Sequence, residues 1–152
     1  MSVELLVTAR LLASASSKRA RQSDLKRAIS TAYYALFDQI ARDAANLLVG
    51  AGPDGDYGIW RQTYRALDHG NAKNACTLLK NLGFPEPLCH CGEAFILLQA
   101  ARHKADYDPY HRVSRADALD AIELAEAAIK NLVTSNRRDR KAFAVQLLLK
   151  RR

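Results

Sequence analysis

The stretch Leu25 to Leu48, LKRAISTAYYALFDQIARDAANLL, constrains the fold of this chain more than any other. Leu25, Ile29, Ala32, Tyr33, Leu36, Ile40, Ala44 and Leu47 recur at steps of three and four residues, which stacks them into one apolar stripe on an α-helix. A long amphipathic helix is therefore expected here, as the central core element. Its aromatics, Tyr33, Tyr34 and Phe37, lie in an alanine-rich frame, so neighbouring helices can approach the small residues while the rings fill the gaps between them. The periodicity turns Tyr33 into the core and Tyr34 toward a groove or partner.

The remaining segments have the same helical grain. Ser2 is placed to cap a first helix whose inward face is Leu5, Leu6, Ala9, Leu12 and Ala13, and Ser23 to cap the long one, which runs until Gly50. Residues 50 to 58, GAGPDGDYG, concentrate turn formers and read as a loop. Short helices are expected over Tyr57 to Leu67 and Asn71 to Leu82, then a break at Gly83, Pro85 and Pro87, then a helix from Cys91 to Tyr107 that Pro109 stops. Ser114 and Asp117 form a capping-box variant, opening a helix with Leu119, Ile122, Ala125, Ile129 and Val133 on its buried face. No stretch alternates with period two, so the fold class is all-α with antiparallel helices. Residues 1–136 read as a single domain, and 137–152 as a basic C-terminal tail with room for one or two more amphipathic turns.

Apolar residues make up 49% and charged residues 26%, which excludes a disordered or fibrous chain. The formal charge of +7 gathers at residues 18–27 and 137–152, and such clusters favour contact with a polyanion such as nucleic acid. No apolar run approaches the ~20 residues that cross a bilayer, and the start MSVELLVTAR lacks a signal peptide's basic region and cleavage site, so no membrane contact and a cytoplasmic location are expected. Three cysteines suit a reducing compartment.

Residues 102–109, RHKADYDP, crowd a cation, a histidine, two carboxylates and a tyrosine at a helix end. Arg102 and Asp106, one turn apart, can form an ion pair of ~0.3–0.5 kcal/mol while Tyr107 covers the core edge, or these groups can face a ligand. Cys89, His90 and Cys91, with Cys76 and His69 upstream, could supply metal ligands, but one intervening residue closes a tetrahedral corner poorly, so no metal is expected and the thiols read as buried. Asp54 and Asp56 only superficially resemble a calcium loop, because the later ligands are missing. No phosphate-binding glycine motif occurs, and Ser30 and Thr31 lie inside a helix with no histidine at a readable spacing.

The pairing of ISTAYYALFDQIA, residues 29–41, with RHKADYDP and an alanine-rich closing helix resembles the HEPN superfamily (higher eukaryote and prokaryote nucleotide-binding domain), closest to its small stand-alone bacterial and archaeal branch. The likeness spans about residues 20 to 133 and rests on short, degenerate motifs. It implies an up-and-down bundle of four to five antiparallel helices with short extra helices, assembled as a homodimer. It also implies RNA or nucleotide binding, in many members metal-independent RNase activity through R-x(4–6)-H, and in some a toxin role beside a nucleotidyltransferase partner. No cofactor is implied.

Carried onto this sequence, the catalytic candidates are Arg102, Asp106 and Tyr107, with His103 and His111 weaker, and the RNA- or nucleotide-binding candidates are Tyr34, Arg102, Tyr107, Arg137, Arg138, Arg140 and Lys141. The catalytic motif itself is not met. Four residues beyond Arg102 the chain offers Tyr107, six beyond it Pro109, and His111 needs eight, while His103 is directly adjacent. Tyrosine, with an ordinary pKa of about 10, is a poor base at neutral pH. The alternatives are a non-catalytic interaction protein that docks a nucleotidyltransferase or other partner, and a basic module that binds RNA or DNA through its tail.

Overall fold

A computed structural model describes residues 1–15, 18–51 and 56–149. Its elements among these residues are α1 (Ser2–Ser14), α2 (Gln22–Leu48), α3 (Tyr57–Arg65), α4 (His69–Cys76), α5 (Glu86–Tyr107), α6 (Arg115–Thr134) and α7 (Arg137–Leu148), with no strand among them. The fold is an all-α bundle. No helix in it is long and apolar enough to cross a membrane. The comparison with a calcium loop falls on Asp54, outside the described residues, as do residues 150–152 of the tail.

All eight residues of the expected stripe on α2 are buried. The six from Leu25 to Ile40 share one core with Leu88, Phe95 and Leu98 of α5 and Ile122 and Leu132 of α6, and α1, α3 and α7 also pack on α2. Tyr33 is fully buried while Tyr34 is 39% exposed, the sidedness that the spacing predicts.

A second stripe on α2 is polar and recurs at every fourth residue. The side chains of Gln22, Lys26, Ser30 and Tyr34 hydrogen-bond in turn to Val113, Asp108, Asp106 and Arg102. Further along, Asp38 accepts from Tyr64 and Asn46 from Trp60. This seam runs α5 antiparallel to the first half of α2 and seats α3 on the second half. Gln22 engages both the N–H and the C=O of Val113, so it satisfies two loop groups at once.

Helix ends differ from their expected places for local reasons. Ser2 lies inside α1, buried, with its hydroxyl donating to Gln39, so Met1 takes the cap position. Arg21, not Ser23, precedes α2, because the N–H groups of Asp24 and Leu25 already bond the Arg21 carbonyl. The fifth helix begins at Glu86 rather than Cys91, with Pro87 in its first turn, where a missing N–H costs nothing. The Ser114 capping box is present with both of its bonds.

Residues 137–148 form α7, whose Phe143, Ala144 and Leu147 are buried, with Arg140 paired to the buried Asp43 of α2. All three cysteines are buried and free. Burial lifts the Cys76 thiol to about 12, which makes it inert at neutral pH, and no group of ligands for a metal ion occurs among the described residues.

Candidate functional site

Arg102 projects from the last turns of α5 toward α2, where its guanidinium carbon lies 5.3 Å from the Tyr33 ring, 5.6 Å from Tyr34 and 5.8 Å from Tyr107. Three π-faces thus hold one cation, and Nη1 also donates to the Tyr34 hydroxyl at 3.0 Å. Asp106, one turn on, keeps an oxygen 3.8 Å from Nη1, while its other oxygen accepts from Ser30. That serine ties the carboxylate back to α2, so Asp106 is oriented rather than free to close fully on the arginine.

The arrangement gains a histidine from a third element. Asp68 caps α4 by accepting from Asn71 N–H, which places His69 as the first residue of that helix. The imidazole stacks on Phe37 at 4.3 Å and 23°, and its Nδ1 lies 2.5 Å from the Tyr33 hydroxyl. Its ring centre is 5.7 Å from Tyr33 and 6.2 Å from Tyr34, the two rings that Arg102 also touches.

Burial, helped by the Arg102 charge and opposed by Asp68, holds the His69 pKa below the usual histidine range, so the ring is neutral at neutral pH. Burial likewise raises the Tyr33 phenol, which keeps its proton. Two neutral groups therefore share one hydrogen bond. When Tyr33 donates to Nδ1, the other imidazole nitrogen carries the proton, and in the opposite tautomer that nitrogen is a base.

Gln99 completes the wall by donating to the His69 carbonyl at 3.2 Å. Its Oε1 and the Nε of Arg102, one helical turn apart, are buried without a hydrogen-bond partner. Unpaired buried polar atoms cost free energy, and their pairing at this one place sets it apart from an ordinary helix contact.

Of the residues expected at the site, Arg102, Asp106, Tyr107 and Tyr34 come together. His103 is exposed and packs its ring 4.9 Å from Tyr107, behind the arginine rather than beside it. His111 lines a separate groove with Leu97, Lys104 and Asp117, on the face of α5 turned away from Arg102. Arg137, Arg138 and Lys141 are exposed on α7, whereas Arg140 is engaged by Asp43. His69, Gln99 and Ser30 join the site unannounced, and Tyr33 joins it from the core. The one available signal for His69 was its Asp68 cap.

Comparison with family models, curated proteins and solved structures finds no match to this chain.

Proposed function

We propose that the Arg102 face binds RNA or a nucleotide, and that the protein is a HEPN-like nucleic-acid-binding module. The observation that carries this reading is the grip of three tyrosine rings on Arg102, two of which, Tyr34 and Tyr107, keep exposed surface of 39% and 65%. An arginine set beside two exposed rings, its own side chain 12% exposed, suits a phosphate next to an unpaired base, and the +7 charge draws such a polyanion in. The homodimer and the nucleotidyltransferase partner of a toxin-type two-gene module belong to the same proposal, through the resemblance alone.

Fluorescence anisotropy with a labelled single-stranded RNA tests it. Arg102→Ala is expected to weaken binding at least tenfold while circular dichroism stays unchanged, and equal affinity of the two proteins would remove the reading.

His69 favours a second reading, metal-independent RNA cleavage at the same face. In that reaction the unbonded imidazole nitrogen of His69 takes the 2′-hydroxyl proton, and the 2′-oxygen bonds phosphorus as the P–O5′ bond breaks. Arg102 stabilises the charge on the pentacoordinate phosphate, and the 5′-oxygen leaves as a hydroxyl with a proton from water, giving a 2′,3′-cyclic phosphate. In this reading α4 supplies the histidine that R-x(4–6)-H would put at residues 107–109. RNA incubated in EDTA with wild type, Arg102→Ala and His69→Ala decides the point: intact RNA with all three proteins leaves a binding protein and no RNase.

A further inference from the structure

The chain carries a second array of rings and cations, on α3, that the Arg102 site does not use. Tyr57, Trp60 and Tyr64 recur at three- and four-residue steps and so lie above one another on one helix face. Their rings are nearly parallel, Tyr57 and Trp60 at 6.4 Å and 4°, Trp60 and Tyr64 at 5.4 Å and 9°.

The seam of α2 fixes these planes. Trp60 donates its indole N–H to Asn46 at 2.8 Å, Tyr64 donates to Asp38 at 2.8 Å, and the Arg42 guanidinium carbon stands 5.9 Å from the Trp60 ring and 5.7 Å from Tyr64. Asp38 holds Arg42 through Nε, at 3.0 and 3.1 Å. At the other end of the ladder Arg61 lies 5.4 Å from Tyr57, and Arg61 and Arg65 line a shallow hollow with Gly58 and Gln62.

Core packing accounts for only part of this ladder: Tyr64 packs against the core edge and Trp60 is half-buried. No residue of α3 is buried, Tyr57 is 70% exposed, and α2 is the helix on which α3 rests. Hydrogen bonds and Arg42 orient the half-buried Trp60 and Tyr64 rings, and the ladder opens outward at Tyr57, where an aromatic face suits a flat partner.

We infer that the Tyr57–Trp60–Tyr64 ladder is a stacking platform for the unpaired bases of single-stranded RNA, with Arg42 and Arg61 meeting its phosphates. The inference rests on the RNA reading of the Arg102 face and extends it along α2. Tyr34 and Asn46, the seam positions that serve the two arrays, are twelve residues apart, or about 18 Å along the helix axis. Every fourth residue also advances about 40° around the axis, so the seam turns by about 120° between them, and a strand that reaches both arrays winds around α2 from Tyr107 and Tyr34 to Tyr64, Trp60 and Tyr57. A base-paired duplex, whose bases are already stacked on each other, offers the ladder nothing.

Trp60 is the chain's one tryptophan, so its emission reports on the ladder without a label. The full chain is titrated with an unstructured twelve-nucleotide RNA, with a duplex RNA of the same length, and with heparin as a polyanion without bases. The single strand is expected to quench Trp60 and to bind more tightly than the duplex at equal salt, and heparin to leave the emission unchanged. The exposed-site variant Tyr57→Ala/Arg61→Ala, folded by circular dichroism, is expected to bind the single strand about tenfold more weakly by anisotropy.

Unquenched Trp60 at saturation, equal affinity for the duplex, or an unchanged Kd in the variant would overturn the platform. Binding lost in Arg102→Ala but kept in Tyr57→Ala/Arg61→Ala would remove the platform alone, the reverse pattern the Arg102 reading alone, and a wild-type protein that binds no RNA would remove both.

Discussion

Arg102 and His69 lie against the same two tyrosines, and the physical consequence is that the Arg102 charge biases the protonation of His69. The guanidinium, kept charged at any ordinary pH, disfavours a second cation across the Tyr33 ring, and burial adds to that. Because the folded-state pKa of His69 lies below its unfolded value, the unfolded chain takes up the proton first as pH falls. Stability is therefore full above about pH 6.5 and declines below it, until the folded-state pKa is passed. Replacing His69 by Gln, which can keep a bond to Tyr33, should flatten the urea-midpoint profile between about pH 7 and 5 relative to wild type. A profile of unchanged slope would show that His69 is protonated equally in both states. At this scale the sequence was half legible: the spacing of Tyr33 and Tyr34 gave their sides, and Arg102 and Asp106 paired as their i,i+4 separation suggested. His69 was not legible as a site residue, because 32 residues of intervening chain bring it to Arg102 and no local pattern encodes that closure.

At the scale of elements, two contacts fix how the helices lie. Gly92 is where α5 crosses the segment after α4: a Cβ there would stand 2.4 Å from Leu79 Cδ1 and 3.3 Å from Cys76 Cβ. Leu79 is 1% exposed and has little room to retreat, so Gly92→Ala should destabilise the fold by about 1–3 kcal/mol in urea unfolding despite alanine's better helix propensity. The second contact is Arg140 with Asp43, which anchors α7 on α2. Arg140→Ala leaves a buried carboxylate without its cation and should cost about 2–3 kcal/mol, allowing for the partial exposure of Arg140, whereas Arg138→Ala, at an exposed position, should stay within about 0.5 kcal/mol. Apolar periodicity revealed the existence of these helices, since burial follows hydrophobic spacing. It left their ends and their crossings open, because those depend on side chains such as Gln22 and Ser2 that bond to distant partners. The polar stripe from Gln22 to Asn46 was present in the letters, yet only the packing of α3 and α5 gives it meaning.

For the whole molecule, the polar seam of α2 joins a cation set among tyrosines at one end to a ladder of stacked rings at the other, on a protein of net charge +7. If RNA lies along this seam, its affinity must fall with salt as counterions are released, with a log–log slope of about −0.7 for each phosphate neutralised on a single strand. Replacing Arg42 or Arg61 should reduce the slope by about one such step, while removing a ring should lower affinity with little change in slope. The tail cations Arg137, Arg138 and Lys141 sit on a different helix, so their removal should leave Trp60 quenching intact. The most direct test of RNA binding at Arg102 is heteronuclear NMR of the folded protein during titration with a single-stranded RNA hexamer. The side-chain resonances of Arg102, His69, Tyr34 and Tyr107 are expected to shift together and to saturate at one common Kd. Saturating RNA binding that leaves those four residues unmoved, with the shifts confined to α7, would contradict the Arg102 site.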